Sequence, residues 1–280
     1  MSVKFLIDSA SDMTPEEAAA LGVFCLPIQI TFDQQTYEDA VTLRHEDFYK
    51  KLASSDDLPV TSQINPLTYE EKYKALIADG SSLVVIALSS KLSGTYQNAV
   101  MAAQEYPGRV FVVDSLNATS GQYILLLRGL ELATQGLSAQ QIAQKLDEEK
   151  SKIKVVAVID TLEYLKKGGR ISSAVALAGG LLGIKPAIAV KNGSIEMAGT
   201  ARGNKKAQQL LQELIEKEGG IDWRMPVSMI YSGADTALRD FMTATETLWQ
   251  GHENVPLRSL GGTIGTHIGP GAFGVAFFQK

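Results

Sequence analysis

Cysteine is almost absent: Cys25 is the single one in 280 residues. No disulfide can form within the chain, and a reducing cytoplasm is the compartment this usage predicts. Cys25 sits in the apolar run VFCLPIQI and reads as a small core residue. Histidine is nearly as scarce. His45, His252 and His267 lie far apart, and no His/Cys cluster has metal-ligand spacing, so no metal site is expected. A basic excess is also missing: 26 Lys and Arg face 31 Asp and Glu, a net charge of -5, with a pI near 5.3. That balance argues against a nucleic-acid partner or a broad membrane footprint. Long hydrophobic runs are lacking too. The longest apolar-leaning stretch, SSAVALAGGLLGIKPAIAV at 172–190, is interrupted by serine, glycine, Lys185 and Pro186, a poor composition for a bilayer span. It reads as buried helix, turn and strand. The opening MSVKFLIDSASD reaches a charge too soon for a signal peptide, so export is not expected.

What is present is a soluble α/β pattern. Apolar residues make up 45% of the chain and charged residues 20%, enough for two ordinary cores. VKFLI, SLVVIAL and RVFVVDS read as strands, separated by helical stretches such as LTYEEKYKALIADG and QYILLLRGLELATQG. The first helix has Thr14 as N-cap, Pro15 at its first position and Glu17 three residues on. Uniformly apolar strands between helices predict a parallel sheet covered on both faces. Polar turns follow three of these strands, at Asp8–Ser11, Ser89–Ser93 and Asp114–Thr119, and in such sheets ligands gather at the carboxyl ends. Beyond SAQQIAQKLDEEKSKI the texture changes to KVVAVID, a Gly-rich centre and a hairpin PAIAVKNGSIEMAG turning at Asn192-Gly193. The predicted domains are therefore 1–152 and 153–280.

The turn SSKLSGTYQNA at 89–99 closes an apolar run and opens a helix. Ser89, Ser90, Ser93, Thr95, Gln97 and Asn98 all carry hydrogen-bonding side chains, and Gly94 leaves a backbone amide open to approach. A serine here can simply cap the helix, a role worth about 1 kcal/mol. The hydroxyls exceed what a cap requires, however, and TSQINP at 61–66 and GGTIGTHIGPGAFG at 261–274 add two more loops of small donors. Together they are the parts of an anion site. GPGAFG has dinucleotide-motif spacing, but only six residues follow it, too few for the helix that faces a pyrophosphate. GGLLGIKP lacks a Gly-Lys-Ser/Thr ending, which leaves a nucleotide or phosphate binder as a minor reading. An esterase or acyl transferase using Ser93 and His267, with Asp8 or Asp114, is the main alternative. Against it, Lys91 stands where a nucleophile elbow wants glycine.

FLIDSASDM, PVTSQINP, SSKLSGTYQNA, VVDSLNATSGQ, DTLEYLKKGGRIS, LLGIKPAIAV, TARGNKKA and IGTHIGPGAFGVAF occur in this order across essentially the whole chain. In these motifs the sequence resembles the DegV family of bacterial fatty-acid-binding proteins. The resemblance implies an N-terminal Rossmann-like domain with a parallel sheet, a C-terminal α/β domain, and a lipid tunnel between them. It implies that Thr61 of TSQ, Ser93 of LSGT and His267 of GTHIGPG hold a long-chain fatty acid carboxylate, with Ser62 and Gly94 beside them. It further implies a non-catalytic carrier subunit of a fatty acid kinase, with no cofactor besides the bound fatty acid. A separate ATP-dependent catalytic subunit would make the acyl phosphate that feeds phospholipid synthesis, and membrane contact would be transient at most. Arg170 of KKGGRIS and Arg202 of TARGNKK become candidates for touching the kinase or the phosphate. One departure stands out: Tyr123 replaces the second glycine of the S-x-G-x-G pattern after the DS motif, and its ring is expected to fill part of the tunnel or shift the loop.

A buried tail contributes roughly 0.8 kcal/mol per methylene, so about fourteen give on the order of 11 kcal/mol before association costs. The carboxylate loses its hydration, and each charge-assisted hydrogen bond returns about 1.5–3 kcal/mol. Small hydroxyls suit that task while leaving one carboxylate oxygen open. Ile28, Ile30, Phe273, Val275, Leu181 and Ile184 are candidates for the tunnel wall, although an ordinary core place is the better reading of each.

Overall fold

The computed structural model describes residues 2–55, 57–171 and 183–280. In its first half the chain runs β1 (Val3–Asp8), α1 (Pro15–Leu21), β2 (Phe24–Leu26), β3 (Gln29–Phe32), β4 (Gln35–Glu38), α2 (His45–Ser54), β5 (Val60–Ser62), α3 (Pro66–Ile77), β6 (Ser82–Ala87), α4 (Thr95–Ala103), β7 (Val110–Asp114), α5 (Thr119–Thr134) and α6 (Ala139–Glu149). It continues with β8 (Ile153–Val158), α7 (Glu163–Lys167), β9 (Ile184–Lys191), β10 (Ser194–Arg202), α8 (Asn204–Lys217), β11 (Val227–Tyr231), α9 (Thr236–Ala244), α10 (Glu246–Trp249), β12 (Leu257–Ser259), α11 (Gly262–Ile268) and β13 (Phe273–Phe278). Among the described residues no helix is long and apolar enough to cross a membrane.

Strands β2-β1-β6-β7 form an all-parallel sheet. Every residue of β6 is buried because successive side chains feed two separate cores. Leu83 and Val85 pack with Tyr69 and Tyr73 of α3, whereas Val84 and Ile86 pack with Ile124 and Leu125 of α5. The second, mixed sheet has the order β10-β9-β8-β13-β11-β12. One of its faces carries Val155, Ala157, Ile188 and Ile230 into the same core as α5. The other carries Val156 and Val158 against Leu211 of α8 and Phe241 of α9. Helix α5 thus lies between the two sheets, buried from Thr119 through Leu126, and the α/β class expected from the alternation holds.

Local signals explain the boundaries. Thr14 and Glu17 form a capping box on α1 with Pro15 in its first turn. The β9–β10 hairpin turns at Asn192 and Gly193, with φ of 49° and 85°, the left-handed pair such a turn requires. VFCLPIQI, which reads as one strand, instead yields β2 and β3. Pro27 offers no N–H, and Ile28 N donates to Ser9 Oγ at 2.9 Å, drawing the chain out of the parallel sheet. The strand then joins β4 and β5 in a small antiparallel sheet. Of the run 172–190, the strand part is β9; the predicted helix and turn over 172–182 lie outside the described residues.

Candidate functional site

Thr61 and Ser62 stand on β5, Ser93 and Gly94 in the turn before α4, Arg170 after α7, and His267 in the last turn of α11. All six line one cavity of about 300 Å³. The rest of its wall is mostly apolar: Val155 and Ala157 of β8, Ile188 of β9, Ile195 of β10, Ile230 of β11 and Ile264 of α11 contribute. The cavity is therefore greasy along the mixed sheet and polar at one end. Thr61, Arg170 and His267 also line a second recess, more polar than the first, that includes Asp57, Tyr164 and Lys167. These three side chains border both recesses.

At the polar end His267 Nε2 lies 3.2 Å from Thr61 Oγ1, across 206 positions of sequence. Burial, with the neighbouring Arg170 charge second, pulls the His267 pKa down to about 4, so the ring is neutral near pH 7. Its Nδ1 is buried without a partner among the described residues. In either tautomer the pair keeps one unspent donor. If the ring donates to Thr61, the hydroxyl hydrogen is free; if it accepts, Nδ1–H is free. Gly168 explains how the ring fits, because a Cβ there would collide with His267 Nδ1.

Ser93 Oγ accepts from Thr95 N at 3.2 Å and lies 3.0 Å from Thr95 Oγ1. This is a local turn bond and not the helix cap considered from the sequence, since the N-cap of α4 is Gly94 and carries no side-chain cap bond; Ser93 lines the cavity. Gly94 lies against the terminal amide of Gln63, which a Cβ there would displace. Gln63, another lining residue, was not singled out from the sequence although it follows directly on Thr61 and Ser62. Ser89 turns away instead, buried and donating to Gly193 O at 2.7 Å. Arg170 donates through Nε to Leu92 O at 3.2 Å and through Nη1 to Gly168 O, and burial lowers its pKa. Arg202 lies elsewhere, exposed on the edge strand β10 and paired in register with Ile184; it lines neither recess.

The geometry overturns several expectations. No triad forms. His267 has no carboxylate partner among the described residues. Asp8 is spent on Ala10 N, Leu88 N and Gln122, and Asp114 on Ser90 N and Leu116 N. The esterase constellation of Ser93 and His267 with Asp8 or Asp114 is therefore not built. GPGAFG, already set aside as a dinucleotide motif from its place in the sequence, has another use. Gly269 and Gly271 have positive φ where Tyr164 and Asp160 crowd them, and Gly274 lies against the β8 backbone, so these glycines permit close packing. Of the proposed wall residues Ile28 lines the cavity. Ile30, Phe273 and Val275 belong to other parts of the core, Ile184 is not among the lining residues, and Leu181 lies outside the described residues. Tyr123 does not fill the cavity: its ring lies under the guanidinium of Arg258, 3.7 Å away.

A family model described as "Uncharacterised protein, DegV family" matches residues 2–280. A DegV domain-containing protein of Deinococcus radiodurans is 35% identical over 280 residues, covering 99% of this chain and 98% of that protein. One from Caldanaerobacter subterraneus is 32% identical, with 99% of each chain covered. Among solved structures, a fatty-acid-binding DegV family protein from Thermus thermophilus superposes with a TM-score of 0.89 at 32% identity over 100% of both chains. A DegV lipid-binding protein from Thermotoga maritima gives 0.87 at 26% identity, again with 100% of both chains covered. A stearic-acid-binding protein from Eubacterium ventriosum gives 0.86 at 27%, covering 100% of this chain and 99% of that one.

Proposed function

The chain belongs to the DegV family, and from that premise we propose that it binds one long-chain fatty acid in the cavity beside its mixed sheet. The acid's carboxylate is held at the polar end by Thr61, Ser62, Ser93, Gly94 and His267. One observation carries this reading: an apolar cavity whose polar end gathers Thr61, Ser93 and His267 from three distant segments. Structural relatives described as binding fatty acids support it. The tail supplies the affinity, on the order of 11 kcal/mol gross for about fourteen methylenes. The head group fixes orientation, because a desolvated carboxylate needs donors in place of water.

The protein in this reading is a cytoplasmic carrier that does no chemistry itself, with lobes 1–152 and 153–280 enclosing the lipid and at most transient contact with membranes during exchange. A partner kinase supplies ATP. A carboxylate oxygen attacks the terminal phosphorus, ADP departs with the bonding pair, and an acyl phosphate results for use in phospholipid synthesis. Thr61, Arg170 and His267 border both the cavity and the second recess, which gives the incoming phosphoryl group a side from which to reach the carboxylate. Arg170 faces that recess, and exposed Arg202 offers a contact for the kinase. Denaturing mass spectrometry of extracts from the purified protein is expected to show one fatty acid per chain. Protein that is empty and also takes up no added palmitate would refute the assignment.

A further inference from the structure

Helix α11, which carries His267, has seven residues and no side-chain cap of its own. So short a helix does not hold itself. Its free N-terminal amides are taken instead by two carboxylates from distant segments. Gly262 N donates to Asp39 Oδ1 at 2.9 Å, Thr263 N to Asp39 Oδ2 at 3.2 Å, and Gly261 N to Asp12 Oδ1 at 2.7 Å. Asp39 is 1% exposed and Asp12 2%. The second oxygen of Asp12 accepts from Thr119 Oγ1, and Thr119 lines the cavity. Both Asp12 and Thr119 have left-handed backbone, φ 57° and 51°, a conformation a β-branched residue rarely adopts and one that must be held by its surroundings. The buried Arg258 donates to Asp12 O at 2.8 Å and pairs with Glu17 at 2.6 Å, while Tyr123 stacks on its far side.

Burying carboxylates such as Asp12 and Asp39 is a poor way to gain stability; apolar side chains of similar volume generally do as well or better. What such groups supply is direction, because each oxygen aims at a defined N–H. We propose that Asp12 and Asp39 are positioning residues that set the placement of α11, and through it the placement of the His267 imidazole against Thr61 and the ligand's head group. The inference rests on the fatty acid reading above for its consequence in binding, but the ring's placement can be read without it.

The test uses the full-length protein and three variants, Asp39→Ala, Asp39→Asn and His267→Ala. Hexadecanoate and hexadecanol share a tail and differ in head group. Asp39→Ala, which leaves the amides of Gly262 and Thr263 both unmatched, is expected to weaken hexadecanoate by about tenfold, while hexadecanol binding changes less than twofold. A cavity that had merely collapsed would lose both ligands alike. Nitrogen-15 NMR of the His267 ring is expected to show shifted resonances in Asp39→Ala and a smaller shift in Asp39→Asn, which keeps one acceptor oxygen. If Asp39→Ala fails to fold, Asp39→Asn carries the same comparison. Unmoved ring resonances with unchanged discrimination between acid and alcohol overturn the positioning role, as does equal loss of both ligands. If His267→Ala leaves hexadecanoate binding intact, the head-group assignment falls, and the ring resonances alone then decide the positioning claim.

Discussion

At Ser93 one hydroxyl serves two groups. Its oxygen accepts from Thr95 N, the kind of local turn bond that short hydroxyl side chains make to nearby backbone, and the cavity lies beside it. Ser93→Ala is therefore expected to weaken fatty acid binding by about 1–3 kcal/mol through an unmatched carboxylate oxygen, measured by displacement of a fluorescent polyene fatty acid. Unchanged affinity would leave Ser93 as a turn residue only. The hydroxyl-rich character of this turn was legible in the sequence, and so was His267 as an outlying donor. Their meeting was not, because Thr61 and His267 are separated by 206 positions and nothing local records that distance. Gly168 shows the same limit: as part of a Gly-Gly pair it reads as a turn, yet its lack of a Cβ makes room for the histidine ring.

Helix α11 is wedged rather than self-supporting. A Cβ on Gly265 would come within 2.6 Å of Phe48 and 2.9 Å of the Tyr49 hydroxyl on α2, closer than real contacts allow, so the glycine spacing in GGTIGTHIG records close packing by a helix the sequence did not announce. Gly265→Ala is expected to cost about 1–3 kcal/mol of stability by overpacking and also to weaken fatty acid binding, since His267 sits on the same helix. Thr14→Ala offers the contrast. It removes one cap from α1, costs about 1 kcal/mol, and is expected to lower the urea midpoint with binding unchanged. Equal effects of the two variants on binding would show that α11 has no special relation to the site. Capping, Asn-Gly hairpin and buried-strand signals were readable because each acts within a few residues. The small antiparallel sheet escaped notice because VFCLPIQI gives one continuous apolar signal while Ser9 and Pro27 divide it in space.

Taken together, the buried ionisable groups make folding depend on pH. Burial pushes Asp8 up to about 6 and Asp12 up to about 7, so the folded state holds protons that the unfolded state has released. Each therefore stabilises least at high pH: stability falls as pH rises from about 4 through the folded values and levels above about 7. His267 acts in the opposite sense. Its folded value near 4 lies below the unfolded one, so stability is lost as pH falls from about 6.5 toward 4. Burial lowers the His45 pKa in the same sense, so two carboxyls stand against two imidazoles, and the share of the stability that Asp8 and Asp12 supply is expected to be larger near pH 5.5 than at pH 8, by on the order of 1 kcal/mol. Urea titrations at the two pH values check it, and Asp12→Asn is expected to remove much of the difference. An Asp12→Asn variant whose stability changes between the two pH values just as that of the unsubstituted protein does would contradict the raised Asp12 value.

Composition, periodicity and short-range motifs were enough to establish an α/β chain, its strands and helices, and a set of small donors suited to an anion, because helix caps, turns and alternating burial are local consequences of residue type. Which strands share a sheet, that α5 is covered on both sides, and that Tyr123 stacks on Arg258 instead of entering the cavity follow from long-range packing. The same holds for the buried carboxylates on α11. Asp12 and Asp39 look like ordinary loop residues until folding brings the free amides of Gly261, Gly262 and Thr263 to them, since a hydrogen bond's partner is chosen by three-dimensional proximity.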